Sequence, residues 1–226
     1  MRKGEKMKRI GFILIGFILI LTGKVFAYDD GDFQIWNTDV EEMQLKKDLK
    51  LVFEQEFRWG NNTSEFYYQH YDAGLAYVLN KSWTVGGGYR QIYARTAVNK
   101  PWRPESDPYF FFTYFGDLAG FKFDDRNRFE YQYFSYQADT GRYRNKFTIK
   151  APWKFTKLEI QPFASDEFFI MIGNDQGLNQ NRLSGGLGFS LTKNVKAELY
   201  YMLLSSKNNN IWKDTNVFGT KLKVAF

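Results

Sequence analysis

A single histidine, His70, stands two residues before Asp72 in a stretch that alternates polar and apolar side chains. Residues two apart on a strand share a face, so the pair could supply a base and its orienting carboxylate to a hydrolytic site. A barrel enzyme acting on lipid or peptide would use such a pair. It would also need a nucleophile in hydrogen-bond reach, and no serine-containing motif accompanies His70. The chain has no cysteine, which removes thiolate nucleophiles, thiolate ligands and a disulfide scaffold together. His70 and Asp72 are therefore catalytic candidates without the rest of a constellation, and the plainer reading is a hydrogen-bonded histidine in a polar interior. Metal binding would fall to carboxylates alone, and the acidic pieces at 28–32 and at Asp124-Asp125 lack calcium-loop spacing. Neither metal nor cofactor is expected. Gly86-Gly87-Gly88 has no helix after it, so it is no phosphate cradle; small residues there make room for a bulky neighbour or a bend.

A larger set of ionisable residues recurs at a spacing of two. It comprises Glu54, Glu56, Arg58, Asp72, Arg90, Arg126, Arg128, Glu130, Arg142, Arg144, Glu159, Glu167, Arg182 and Glu198, with Lys221 and Lys223 near the end. Apolar side chains occupy the positions between. Leu51, Phe53, Phe57 and Trp59 oppose the first charged run; Tyr71, Ala73, Leu75 and Tyr77 oppose His70 and Asp72; Leu183, Leu187 and Phe189 oppose Arg182. Alternation of this kind predicts strands with one greasy and one charged face. The closing stretch repeats it: Phe218, Leu222, Val224 and the terminal Phe226 on one face, Lys221 and Lys223 on the other. An apolar last strand ending on an aromatic residue resembles the assembly signal of bacterial outer-membrane barrels.

The elements that must position these charges are therefore strands, and the question is which face looks inward. Aromatics make up 19% of the chain while mean hydropathy is −0.48, a combination suited to strands with one face to lipid and one to water. A soluble periplasmic β-protein would bury the apolar face instead. Three features favour the membrane: strands long enough to cross a bilayer when tilted, more Phe and Tyr than a closed soluble barrel could pack inside, and the apolar terminal strand. The expectation is an all-β fold, a transmembrane antiparallel up-and-down β-barrel of 12 strands. Eleven stretches alternate, and the first would break at Asn37-Thr38-Asp39 to give twelve; the alternative is 10 strands plus an N-terminal segment. Connections near 47, 81, 119, 154 and 194 read as tight and those near 62, 102, 139, 177 and 210 as longer, which would put the tight side in the periplasm. All six tryptophans fall near strand ends or in loops, where they would form interfacial girdles.

Residues 1–27 carry Arg2, Lys3, Lys6, Lys8, Arg9 and Lys24 against Glu5, which accounts for +5 of the chain's formal +6. A cationic start, the apolar run from Ile10 to Leu21 and the small outer residues of Val25-Phe26-Ala27 read as a cleaved secretory signal peptide, with the barrel over 28–226. The remainder is close to neutral, so no nucleic-acid partner is expected. Expected partners are outer-membrane lipid, lipopolysaccharide and the barrel-assembly machinery, with the barrel a monomer in the outer membrane of a Gram-negative bacterium. Inside, charges of both signs would pair. They would then either fill the lumen as a structural core or leave a narrow solute or ion pore, anion-selective where Arg or Lys lacks a partner.

The motifs Phe33-Gln34-Ile35-Trp36, Glu54-Gln55-Glu56-Phe57-Arg58, Gly87-Gly88-Tyr89-Arg90, Arg126-Asn127-Arg128-Phe129-Glu130, Asp166-Glu167-Phe168 and Asn179-Gln180-Asn181-Arg182 occur in that order. In that order the chain, over residues 32–226, resembles an uncharacterised bacterial outer-membrane family, domain of unknown function 2490. The resemblance implies a barrel with an ionised interior and brings no reaction, substrate or ligand.

Overall fold

A computed structural model describes residues 30–173, 176–208 and 210–226. The expected signal peptide, 1–27, lies outside the described residues. Among those described are eleven strands: β1 (Asp32–Lys46), β2 (Leu49–Gly60), β3 (Glu65–Val78), β4 (Trp83–Ala94), β5 (Arg103–Leu118), β6 (Phe121–Phe134), β7 (Thr140–Lys150), β8 (Gln161–Ile172), β9 (Gly177–Ser190), β10 (Val195–Asn208) and β11 (Ile211–Ala225). Each pairs antiparallel with its chain neighbours. The barrel closes where β1 meets β11, and that pair is parallel, from Asp32 opposite Thr215 to Glu42 opposite Ala225.

The expected count of twelve is thus corrected to eleven, and ten strands with a separate N-terminal segment fails as well. β1 runs unbroken through Asn37-Thr38-Asp39. Asn37 Nδ2 donates to Thr220 Oγ1 across the seam at 3.0 Å, and Thr38 Oγ1 donates to Glu56 Oε2 on β2 at 2.9 Å. Side chains that would cap a turn are occupied across the sheet, so the turn does not form. With an odd count the first and last strands run the same way, which makes the closing pair parallel.

At the upper end, where Asp32 begins, lie connections 61–64, 95–102 and 135–139, with the last residues of β8 and β10 and the first of β9 and β11; at the lower end, with Phe226, lie 47–48, 79–82, 119–120, 151–160 and 191–194. The expected contrast of tight and long ends is absent, because 151–160 is the longest connection and sits on the side expected to be tight. Leu158-Glu159-Ile160, read from the sequence as strand, belongs to it. Thr156 and Glu159 have φ of 63° and 48°, a left-handed backbone that interrupts extended chain. β8 therefore starts only at Gln161.

Inside and outside alternate as the sequence pattern requires. Along β1, Asp32, Gln34, Trp36, Thr38 and Val40 are buried, while Phe110, Leu183, Leu187, Tyr201 and Phe218 on other strands are exposed on the outer wall. On β5, whose faces are ambiguous in sequence, Asp107 and Thr113 are buried and Phe110 is 57% exposed. Trp36 departs from the girdle expectation: it points into the lumen and is 2% exposed, packed with Met202, Leu204 and Val217. The glycines of β4 make room, as expected. A Cβ on Gly88 would stand 2.5 Å from the Tyr109 hydroxyl, and one on Gly86 2.6 Å from the Phe111 ring.

The parallel seam has a direct test. The chain has no native cysteine, so the pair Asn37→Cys and Thr220→Cys, opposite each other in register, should form a single bridge on oxidation. A mobility shift on non-reducing gels, reversed by reductant, is the expected result; no bridge would mean that β1 and β11 do not meet in this register.

Candidate functional site

Each inward position on a strand faces a narrow tube with little room for water, so an ionised group there needs a neighbour of opposite charge. The strand register supplies them. Asp72 on β3 lies opposite Arg90 on β4, and Glu130 on β6 lies opposite Arg142 on β7. Glu167 on β8 has Lys146 opposite on one side and Arg182 on the other.

These pairs join into one layer across the upper lumen. Arg90 Nη2 donates to Glu54 Oε1 at 3.1 Å and Arg90 Nε to Asp72 Oδ2 at 2.9 Å. Asp72 also takes Arg128 Nη2 at 3.4 Å, and Arg128 Nε reaches Glu130 Oε1 at 2.7 Å. Glu130 is the hub, receiving Arg142 as well as Arg144 Nη1, the latter at 2.8 Å. Arg144 Nη2 continues to Glu167 Oε1 at 2.8 Å, and Glu167 takes Arg126 at 3.2 Å and Arg182 at 3.6 Å. Charge therefore alternates without a gap from β2 to β9.

Aromatic faces close the remaining space. The Arg58 guanidinium lies between the rings of Trp36 (3.5 Å) and Tyr68 (3.8 Å) and pairs with Glu56. Arg128 covers Tyr109 at 3.4 Å, while Arg144 and Arg182 cover Phe169 at 4.6 and 4.5 Å. Desolvated contacts of this kind contribute about 2 kcal/mol each. Beside them, against β1, β10 and β11, sits a small apolar cluster around Trp36.

Comparison with known proteins fits this geometry. The family described as "Protein of unknown function (DUF2490)" matches residues 33–215. The chain belongs to the DUF2490 family. A solved structure of the NanC porin, in a rhombohedral crystal form, shares the barrel with 10% sequence identity and a TM-score of 0.52, over 86% of this chain and 99% of that one. No curated protein matches the sequence.

Within this DUF2490 barrel the structure sorts the residues singled out from sequence. His70 and Asp72 share the inner face but take different partners. His70, 1% exposed, meets the Tyr68 hydroxyl through Nδ1 at 3.0 Å and Glu54 Oε1 through Nε2 at 3.3 Å. Asp72 accepts from Arg90 and from the Tyr109 hydroxyl, the latter at 2.5 Å. No serine or threonine hydroxyl bonds to the His70 ring among the described residues.

Glu159 is corrected: it lies outside the lumen on the 151–160 connection, where the hydrogen bond from Lys154 (2.8 Å) holds its carboxyl below the ordinary range. Glu198 faces inward and lines a cavity but joins no ion pair among the described residues. Three lumen groups escaped the sequence reading. Asp107, not among the charges read as facing the lumen, is wholly buried and bonded to Arg142 Nη2 at 3.0 Å. Trp36 and Phe169 serve as platforms for arginines. For Asp107 the signal was present in the two-residue spacing of Glu105, Asp107 and Tyr109, obscured by Pro104 and Pro108 on the opposite face.

Removing the hub should be costly. Glu130→Ala would leave Arg128, Arg142 and Arg144 with uncompensated buried charge, and loss of one partner from such a group costs about 3–5 kcal/mol. Urea unfolding followed by the gel shift between folded and heat-denatured forms should show that drop, with Glu159→Ala close to unchanged.

Proposed function

We propose that this protein is a monomeric outer-membrane β-barrel whose lumen is closed to permeation by its own ion pairs. The observation that carries the reading is the unbroken run of charge contacts from Glu54 to Arg182 across the upper tube. Strands of 11 to 16 residues meet or exceed the 9–11 or so that a tilted strand needs to span a bilayer. Exposed Phe, Leu and Tyr on the outer wall support lipid contact, and no helix among the described residues is long and apolar enough to cross a membrane. Export would use residues 1–27. Phe218, Leu222 and Phe226 are exposed on the last strand, and with Val224 they would form the signal read by the barrel-assembly machinery. The end carrying Phe226 would face the periplasm, and lipopolysaccharide would contact the upper loops.

The related structure is named a porin, and a pore reading for this chain would require an opening through the charge layer. A catalytic reading through His70 has no supporting contact: its ring nitrogens are engaged by Tyr68 and Glu54.

Planar-bilayer recordings decide between closed and open. Wild-type protein is expected to give no conductance above baseline, and regular steps in its presence would overturn closure. Membrane orientation is tested separately. Phe110 is exposed near the middle of β5, stacked on Phe129 at 4.8 Å. Phe110→Arg on a lipid-facing wall should cost about 2–4 kcal/mol of folding stability in vesicles; a neutral effect would point to a wall bathed by water.

A further inference from the structure

Below the charge layer the lumen changes character. A cavity of about 120 Å³ borders that layer; seven cations line it, Arg126, Lys146 and Lys221 among them, against four carboxylates, Glu54, Glu56, Glu167 and Glu198. A second, of about 550 Å³, opens at the lower end among Lys150, Lys154, Lys157, Lys193 and Lys196. Phe163 and Glu198 line both, so the two cavities adjoin along the lower tube.

The two cavities together hold an excess of positive charge that the protein does not neutralise. Lys146 has no ion pair or hydrogen bond among the described residues; Glu167, opposite it in register, is already bonded by three arginines. Lys221 reaches Glu54 only at 3.7 Å, and Glu54 already binds Arg90; Glu198, opposite Lys221 in register, makes no ion pair with it among the described residues. Of the five lysines at the mouth, Lys154 alone has an ion pair among the described residues, with Glu159. Cations even stand directly opposite cations: Lys122 faces Lys150, Arg126 faces Lys146 and Lys196 faces Lys223. Like charges placed opposite each other destabilise a sheet.

The upper lumen shows how the same conflict is resolved inside the protein. Arg128 and Arg144 are also opposite each other, and the Glu130 carboxylate sits between them, 2.7 and 2.8 Å away. In the lower passage carboxylates are outnumbered: Glu198, opposite Lys221 in register, lines both cavities and Glu159 the outer one, against Lys146, Lys221 and the five mouth lysines. Asp124, inward on the same part of β6, lies opposite Thr148 instead. Composition does not force this surplus, since the chain beyond residue 27 is close to neutral.

We propose that the lower lumen is a binding site for a linear polyanion carrying several phosphate or carboxylate groups. One terminal group enters the inner cavity between Arg126, Lys146 and Lys221, and the following groups lie among the mouth lysines. The inner cavity admits a single such group; the outer one has room for several. Charge-assisted hydrogen bonds from Lys and Arg suit both oxyanions. The ligand comes from the Phe226 end, because the charge layer bars the other. This rests on the closed upper lumen.

The test uses the whole barrel in a phosphate-free, uncharged detergent, with titration calorimetry of tripolyphosphate and, separately, citrate. Saturable one-to-one binding that weakens as salt rises is expected for at least one of them. Lys146→Gln should lower that affinity about tenfold. Because Lys146 makes no direct ion pair or hydrogen bond among the described residues, the variant should keep the wild-type gel shift between folded and heat-denatured forms. Lys207→Gln at the upper end should bind as wild type.

Absence of saturable binding overturns the proposal. So does unchanged affinity in Lys146→Gln when Lys154→Gln with Lys157→Gln abolishes binding, which would describe a surface patch of the kind that meets lipid phosphates. Conductance measured on the same preparation separates the two readings: a conducting barrel that still binds through Lys146 overturns closure and leaves the anion site standing.

Discussion

A charge held in a narrow tube must find its counter-charge within the tube, and this governs the architecture more than any single contact. Ionised groups lose several kcal/mol of hydration on entering such a space, and attraction repays it only where geometry is good and the remaining lone pairs are bonded. Strand register is the means by which the chain meets that condition. Asp72 faces Arg90, Glu130 faces Arg142, and Glu167 faces Arg182. A slip by one residue anywhere would turn arginines outward and phenylalanines inward. Register and charge pairing therefore enforce each other around the barrel, and the seam between β1 and β11 inherits a register fixed on both sides.

The same condition explains why the interior is not uniform. Where aromatic rings, glycines and carboxylates meet, as at Tyr109 with Gly88 and Asp72, the tube is solid. Gly219 does the equivalent on β11: a Cβ there would fall 1.9 Å from the Tyr200 ring. Lower down the carboxylates thin out while the lysines continue, and the tube opens. Closure above and a cationic passage below are two outcomes of one rule, applied with and without enough acid.

Much of this was legible from the sequence. Period-two alternation located most of the strands closely, placed His70 and Asp72 on the inner face, and grouped nearly all the arginines and glutamates that form the charge layer. What it could not supply were facts that depend on distant contacts or local backbone. The count of eleven turns on Asn37 meeting Thr220, residues at opposite ends of the described chain. Glu159 sits in an alternating triplet, but left-handed backbone at Thr156 and Glu159 keeps that segment out of the barrel. Asp107 was hidden by prolines, which usually mark loops. Here Pro104 and Pro108 lie opposite Tyr93 and Tyr89 within the ladder. A signal for Trp36 in the lumen existed only in the partner, since an arginine facing inward at Arg58 needs a platform as well as an acid.

The outer wall carries its own version of the rule. Although most outward side chains are apolar, Asp125, Asn127 and Asn145 on β6 and β7, and Asp166 and Asn181 on β8 and β9, also point outward. They are not left to the surroundings. Asn145 Nδ2 donates to Asp125 Oδ1 at 2.5 Å, Asn181 Nδ2 donates to Asp166 Oδ1 at 2.7 Å, and the Tyr143 hydroxyl donates to Asn127. An unbonded polar group taken out of water costs roughly 1–3 kcal/mol, and these cross-strand bonds recover part of that. Amide donors do for the outer carboxylates what guanidinium groups do for the inner ones, more weakly and over fewer strands. The wall can therefore be greasy on average and still hold carboxylates, provided each has a donor on the adjacent strand. Strand pairing is thus under polar constraint on both faces of β6 to β9, the same strands that carry Glu130 and Glu167 inside.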